Sequence, residues 1–284
     1  MLVAVVVSWN GREDTLAALE SLRGIAVVVV DNGSVDGSAD AIAERFPDVE
    51  LIRAGVNLGF AGGNNAGIRR ALDRGADWVL LVNNDATVEP GIVEALAAAA
   101  ESRPDAGVLA CKVLFADSDR LWYAGAGFNP YLGRSRHERF GKPDEPGMLR
   151  DTVRATGAGM AVSRAAIEAA GLLDEEFFLY AEDIEWCLRI RAAGFAVVYA
   201  PEARVRHRVT ASSGGAGSST ASYYEARNVL AVVERHRPLP RGLTGARRAL
   251  VVAPRVVLAA PRPRSAYAAL RGWRDYRKGR MGRR

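Results

Sequence analysis

The first ninety residues alternate two hydrophobic patterns. Leu2–Ser8 and the runs at 26–30, 49–53 and 78–82 are short and apolar, rich in Val, Ile and Leu, as strands covered on both faces are. Between them, residues 13–22, 38–46 and 64–72 space their apolar side chains three and four apart, which puts them on one face of a helix. The resulting order, β-α-β-α-β-α-β, predicts an α/β fold: a Rossmann-like, mostly parallel sheet with helices on both faces. Such sheets bind nucleotides.

Three of these strands run into polar groups. The first meets Trp9, Asn10 and Gly11, the second meets the cluster DNGSVD at 31–36, and the run LLVNND at 80–85 ends in two amides and a carboxylate. Ligands of open α/β sheets sit outside the carboxyl ends of the strands, so Asn83, Asn84 and Asp85 are predicted to project into that crevice. A carboxylate there can hold a hard divalent cation on a diphosphate, because Mg²⁺ takes only one or two oxygen ligands from protein in such sites. The same three residues also suit an Asx turn, and the motif alone does not choose.

The order VVVSWN, VVVVDNGSVDGS, NLGFAGGNNAGI, LLVNNDATVEP, GAGMAVSR, GLLDEEFFLYAEDIEWCLRIRAAGF and VRHRVTASSG resembles glycosyltransferase family 2, over residues 3–237. Within it the chain is most similar to the bacterial rhamnosyltransferase-like branch. The resemblance implies a GT-A fold, a nucleotide-sugar donor, a divalent metal (Mg²⁺ or Mn²⁺) and inversion at the anomeric carbon. Position by position, it implies that Asp31 hydrogen-bonds the pyrimidine base, that Asn57 and Asn64 line the nucleotide, and that Asn32, Ser34 and Asn84 belong to the same donor site. Asp85 matches the last acid of the family's DXD motif and is the implied metal ligand. Asn83 stands where that motif has its first acid, which removes one negative charge at the metal and leaves the strength of metal binding open. Asp183, preceded by Glu182, matches the catalytic base. His207 matches a histidine that completes the metal shell in some relatives; on its own, a His between Arg206 and Arg208 reads as a polar residue closing a strand.

The implied reaction needs these residue types. Departure of the glycosyl phosphate leaves charge on a diphosphate, which a cation and nearby donors must stabilise. The acceptor hydroxyl attacks from the opposite face and must lose a proton to a carboxylate within hydrogen-bond reach. Asp183 opens the helical run 182–193, where unpaired N–H groups favour an anion, and is expected to be ionised at neutral pH. Glu182, Glu185 and Arg189 share one face of that run. Glu185 is either an acceptor contact or part of a solvated ion-pair ladder, with Arg189 supporting it. Trp186 either lines the acceptor groove or covers the core, and Cys187 packs with Ile184, Leu188 and Ile190 as a small hydrophobe. The Gly/Ser-rich segment 212–220 is read as a lid over the donor or a plain surface loop. Residues 115–150 suggest loops and short strands at the sheet edge, with His137 facing solvent.

Composition narrows the picture. A chain of 284 residues, 49% hydrophobic, can bury one large α/β core, and two distant cysteines suit a reducing compartment. A strand at the N-terminus leaves no room for a signal peptide, and the apolar run 249–260, broken by Pro254 and Arg255, is too short to span a bilayer. Residues 238–284 hold thirteen Lys or Arg and one acid, Asp275, or +12; against the chain total of +5, residues 1–237 carry −7. The expected division is therefore a glycosyltransferase domain at 1–237 and a basic, apolar-interleaved helical segment at 238–284. Arg interleaved with Val, Leu, Trp and Tyr suits an anionic lipid surface. Nucleic acid competes for such a patch on charge alone, and the resemblance favours the membrane.

The expectation is a cytoplasmic enzyme, peripheral on the inner membrane face, that moves rhamnose from dTDP-rhamnose to a hydroxyl of a glycan or lipid-linked saccharide in cell-envelope synthesis. The rivals are another donor, such as UDP-galactofuranose, UDP-N-acetylglucosamine or a GDP sugar, and a nucleotide-sugar binding protein without turnover. A dinucleotide dehydrogenase is disfavoured because the first strand turn, SWNGRED, lacks the glycine spacing that admits a pyrophosphate.

Overall fold

The computed structural model describes residues 1–209 and 218–284. Strands β1 (Leu2–Ser8), β2 (Ala26–Asp31), β3 (Glu50–Arg53) and β4 (Trp78–Asn83) form the parallel half of the sheet in the order β3-β2-β1-β4. Helices α1 (Arg12–Ser21), α2 (Ser38–Arg45) and α3 (Gly59–Asp73) make the crossovers. Val3, Ala4, Val5 and Val6 of β1 have no exposed surface, as a central strand covered on both faces requires. The register sets Ser8 opposite Asp31 and Val7 opposite Asn83, so the three polar strand ends finish level with one another.

Helix α3 begins at Gly59, five residues before the expected start at 64. Its glycines conceal the helical signal because they serve packing: a Cβ on Gly67 would lie 2.3 Å from Val5 Cγ1, and one on Gly63 would lie 2.7 Å from Val7 Cγ1. The helix can approach β1 this closely only without side chains there.

The other half of the sheet is mixed. After β5 (Ala86–Val88) and α4 (Ile92–Ser102), β6 (Ala106–Phe115) pairs with β11 (Gly159–Ser163), which itself lies antiparallel to β4. Helix α5 (Arg164–Ala170) and α6 (Glu182–Ala192) follow, and then β12 (Ala196–His207) runs parallel to β6, with a register shift between Ala200 and Arg204. Strand β5 folds back antiparallel on β12 and pairs Ala86 with His207. Residues 115–150 form short edge strands, as expected: β7 (Leu121–Tyr123) on β6, a separate hairpin of β8 (Ala126–Asn129) with β9 (Arg134–His137), and β10 (Arg150–Asp151) on β12.

The C-terminal segment is helical and packs on the rest of the chain. Helices α8 (Arg241–Ala259) and α9 (Pro263–Arg277) pack on α7 (Ser219–His236). Val251 and Val252 share an apolar cluster with Val229, Val232, Phe177 and Ile184. Tyr223 Oη donates to Asp275 Oδ2 at 2.9 Å, and a Cβ on Gly272 would meet Tyr223 O at 2.2 Å. Among the described residues, no helix is long and apolar enough to cross a membrane.

Candidate active site

A cavity of about 950 Å³ opens beyond the level ends of the parallel strands. Its lining comes from both halves of the fold and includes Asn32, Asn57, Asn64 and Asn83–Asp85 together with Glu182, Asp183 and His207. The tail reaches it too, through Arg255, Arg283 and Arg284.

Strand pairing builds the first acidic feature. Because β5 reverses onto β12 with Ala86 beside His207, Asp85 and His207 meet, with Nε2 3.0 Å from Oδ1. The Arg208 N–H donates to Asp85 O at 3.0 Å and locks the reversal. Both side chains are buried and both line the cavity. Asn83 Nδ2 lies 3.4 Å from the same imidazole nitrogen, so the residue at the first DXD position faces the pair without adding charge. One carboxylate oxygen and one imidazole nitrogen fit a divalent cation that draws its remaining ligands from a diphosphate and water. Among the described residues no group of three or more His, Cys, Asp or Glu side chains gathers for a metal. His207 Nδ1 is buried without a hydrogen-bond partner, whereas a metal-bound imidazole usually donates its other N–H. The set therefore fits a cation shared with substrate better than a permanently held one.

The second acidic feature is built by a tight turn. Phe178, Tyr180 and Ala181 all have φ between 61° and 68°, a left-handed conformation that costs non-glycine residues energy. Side chains from α7 hold it there. Asn228 Nδ2 is 2.8 Å from each of the carbonyl oxygens of Phe177, Leu179 and Tyr180, and Arg227 donates to Phe177 O at 3.0 Å and Glu176 O at 3.2 Å. The turn delivers Glu182 and Asp183 to the cavity at the start of α6. Asp183 Oδ1 accepts from Ile184 N at 2.7 Å, and Oδ2 accepts from Arg154 Nη1 at 3.4 Å. Arg154 is itself fixed, donating to Ser135 Oγ at 2.7 Å and Ala155 O at 3.0 Å. Glu182 Oε2 is buried without a partner; desolvation first, and the neighbouring Asp183 second, push its carboxyl up to about 8. Burial thus favours the protonated form of Glu182, a residue of the cavity lining.

The expected donor residues divide. Asn32, Asn57, Asn64 and Asn84 line the cavity. Their amides also hold the walls: Asn32 Nδ2 donates to Gly59 O at 3.0 Å, and Asn84 Nδ2 donates to Thr15 Oγ1 at 3.2 Å. Asp31 and Ser34 stand at the strand end outside that lining, with Asp31 Oδ1 accepting from Ser34 N at 3.3 Å and Ser34 Oγ accepting from Asn10 N at 2.9 Å.

Glu185, Trp186 and Arg189 stand outside the cavity lining. Glu185 is neither solvated nor at the cavity: it is buried, and accepts from Arg189 Nε at 2.7 Å. Arg189 in turn caps the carbonyls of Ala170 and Leu172. Trp186 is fully buried and donates from Nε1 to Gly171 O at 2.8 Å, so it covers the core and lines no groove. His137, expected in solvent, is half-buried against Trp122 and Tyr123 and lines the cavity. Burial, then the charge of Arg154, lowers it to about 4, so it is neutral. Cys187 is core, as expected. The segment 212–220 lies outside the described residues up to 217; Ser218 caps α7, its Oγ accepting from Ala221 N at 3.1 Å.

Residues 2–226 match the family model for glycosyltransferase like family 2. The chain belongs to glycosyltransferase family 2. Within that family it is 31% identical, over 266 residues, to the N-acetylglucosaminyl-diphospho-decaprenol L-rhamnosyltransferase of Mycobacterium tuberculosis, which covers 83% of this chain and 84% of that one. It is 26% identical over 252 residues to the dTDP-rhamnosyl transferase RfbF of Shigella flexneri, covering 84% of this chain and 82% of that one. Among solved structures, the mannosyltransferase PcManGT from Pyrobaculum calidifontis, in complex with GDP-Man and Mn²⁺, superposes with a TM-score of 0.57 at 18% identity, covering 98% of this chain and 82% of that one. The protein is a glycosyltransferase of GT-A fold, and the matched segment contains Asp85, Glu182, Asp183 and His207 while α8 and α9 lie beyond it.

Proposed function

We propose that this family 2 enzyme transfers rhamnose from dTDP-rhamnose to a hydroxyl of a lipid-linked saccharide, with inversion. The observation that carries the reading is one cavity holding an Asp–His pair, made where the end of β4 meets β12, and a Glu–Asp pair at the start of α6. The choice of substrates is supported by the names of the relatives: two are rhamnosyltransferases, one of them naming a dTDP donor and the other a diphospho-decaprenol acceptor.

Asp85 and His207 would hold Mg²⁺ or Mn²⁺, which when bound supplies Lewis-acid stabilisation of the charge on the departing diphosphate. Asn32, Asn57, Asn64 and Asn84 frame the nucleotide within the cavity, and Asp31, with Ser34 beside it at the strand end outside that lining, takes the pyrimidine base. Asp183 accepts the proton of the acceptor hydroxyl as its oxygen bonds to the anomeric carbon and the bond to the diphosphate oxygen breaks on the opposite face. Arg154 holds Asp183 Oδ2 and the Ile184 N–H holds Oδ1, so the carboxylate is fixed while each oxygen keeps a lone pair for the hydroxyl. Glu182, neutral, donates a hydrogen bond to a substrate oxygen in a place where a second negative charge would repel the donor.

Calorimetry with dTDP-, UDP- and GDP-sugars, with and without Mn²⁺, paired with a transfer assay, tests this. Tightest binding and turnover with dTDP-rhamnose is expected. Preference for UDP-galactofuranose or UDP-N-acetylglucosamine would replace the donor, and donor binding without transfer to any acceptor would make the protein a binding module.

The same reading puts the enzyme on an anionic membrane face. Leu243, Leu250, Val257 and Leu258 of α8 are exposed, with Arg262 and Arg264 following, which suits a helix lying on anionic lipid. Deleting 238–284 would strip Val251 and Val252 from the core, so the test is sedimentation with anionic vesicles after changing the exposed residues to Ser. Equal pelleting of both forms would remove the membrane contact.

A further inference from the structure

Beside the main cavity lies an annex of about 720 Å³ whose lining includes Arg136, Arg139, Lys142 and Arg154 and no acid. Ser135, His137 and Phe140 complete it, and of these His137 is neutral, so the annex is positive and stays so across the neutral range. Arg139 is partly balanced, its Nη2 lying 2.8 Å from Glu145. The annex and the main cavity are continuous, sharing Ser135, His137, Phe140 and Arg154. Arg154 is the hinge between them, because the same guanidinium that borders the annex lies 3.4 Å from Asp183 Oδ2. The annex therefore adjoins the carboxylate that receives the acceptor's proton. The Asp85–His207 pair, where a donor diphosphate would be held, does not border it.

We propose that this annex is an anion subsite that binds the diphosphate of the acceptor. The inference rests on the proposed lipid-linked acceptor and adds the residues that recognise it. A saccharide whose hydroxyl sits at Asp183 carries its own diphosphate at the other end of the sugar, and Arg154 links the two places, lining the annex while lying 3.4 Å from Asp183 Oδ2. Arginine matches phosphate oxygens with two parallel N–H groups, and lysine adds a point charge. With the exposed Arg136 and Lys142 set beside the buried Arg154, these contacts discriminate a charged acceptor from a neutral one.

Geranyl diphosphate is the binding probe, titrated calorimetrically into enzyme whose donor side is saturated with dTDP and Mg²⁺. Arg136 and Lys142 are both exposed, so Arg136→Ala with Lys142→Ala is expected to fold, checked by thermal melting. The wild type should bind the probe alongside dTDP, and the double variant should bind it at least tenfold more weakly with dTDP affinity preserved. Displacement of dTDP by the probe would overturn the proposal, as would equal binding by both proteins. So would a loss seen only with phosphatidylglycerol vesicles, which would assign the charge to a lipid headgroup. In the transfer assay, the wild-type preference for a synthetic N-acetylglucosaminyl-diphospho-lipid over an uncharged N-acetylglucosamine alkyl glycoside should collapse in the double variant, and an undiminished preference counts against the subsite. Failure of the wild type to use either acceptor would instead remove the acceptor reading, while the calorimetric comparison still decides whether the annex binds a diphosphate.

Discussion

The two acidic features of the cavity are held by different physics. Asp85 and His207 meet because two strands pair, and the contact is written into the register of β5 on β12. Glu182 and Asp183 are presented by a turn of left-handed non-glycine residues that has no ladder of its own and relies on side chains from α7. Ladder pairing is cooperative with the whole sheet, so the first end should survive local change. The second depends on a few contacts, and a single substitution there can displace the catalytic group without unfolding the protein.

The largest effects are expected at the acids. Asp183→Asn should slow transfer by roughly 10²–10⁴-fold, the range that a positioned general base contributes, read from steady-state kcat. Next is Asn228→Ala. It removes one amide donor shared by the carbonyls of Phe177, Leu179 and Tyr180, of which Phe177 O keeps Arg227, and should lower the melting temperature by the equivalent of about 1–3 kcal/mol and lower kcat with it. A variant that melts earlier yet transfers at full rate would show that the turn does not need this anchor. On the ladder side, Gly67→Ala forces a methyl against Val5 and should cost about 1–3 kcal/mol in urea unfolding. It is expected to change kcat less than Asn228→Ala does, and a reversed order would erase the distinction between the two ends.

The smallest effect is a pH slope. Burial raises Glu182 to about 8 in the folded state, while an unfolded glutamate releases its proton near its ordinary value of 4.5. Between those values the folded state binds the extra proton, so this group's contribution to stability falls as pH rises through that window and levels off above 8. Glu182→Gln should flatten that part of the curve in denaturant titrations at several pH values. An unchanged slope would mean that Glu182 is ionised.

Much of the first end was legible because its signals are local. Apolar runs of strand length and the polar residues that stop them are readable one segment at a time, and the parallel order then brings the stops together. The start of α3 was hidden because close packing on β1 demands glycines that weaken a helical pattern. The second end was legible only as the Glu182–Asp183 dipeptide. Asn228 lies 48 residues from Tyr180, and Arg154 lies 29 from Asp183, with no periodicity linking either pair. Spacing put Glu185 and Arg189 on one helical face, but it could not say that this face turns inward, where His236 Nε2 lies 3.4 Å from Glu185 Oε1. In the tail, the helices and their basic, apolar-interleaved character were readable, but the contacts that hold them, Tyr223 with Asp275 and Val251 with α7, join residues too far apart for spacing to link.

The central claim is that Asp85 and Asp183 serve opposite sides of one reaction across a shared cavity. Donor calorimetry of Asp183→Asn beside Asp85→Asn, in Mn²⁺ and in EDTA, tests it most directly. The account predicts that Asp183→Asn binds the nucleotide sugar as the wild type does and retains its Mn²⁺ dependence, while Asp85→Asn loses the Mn²⁺-dependent part of binding. Equal loss of donor affinity in both variants, or an Asp85→Asn protein that binds the donor as the wild type does in Mn²⁺, would contradict it.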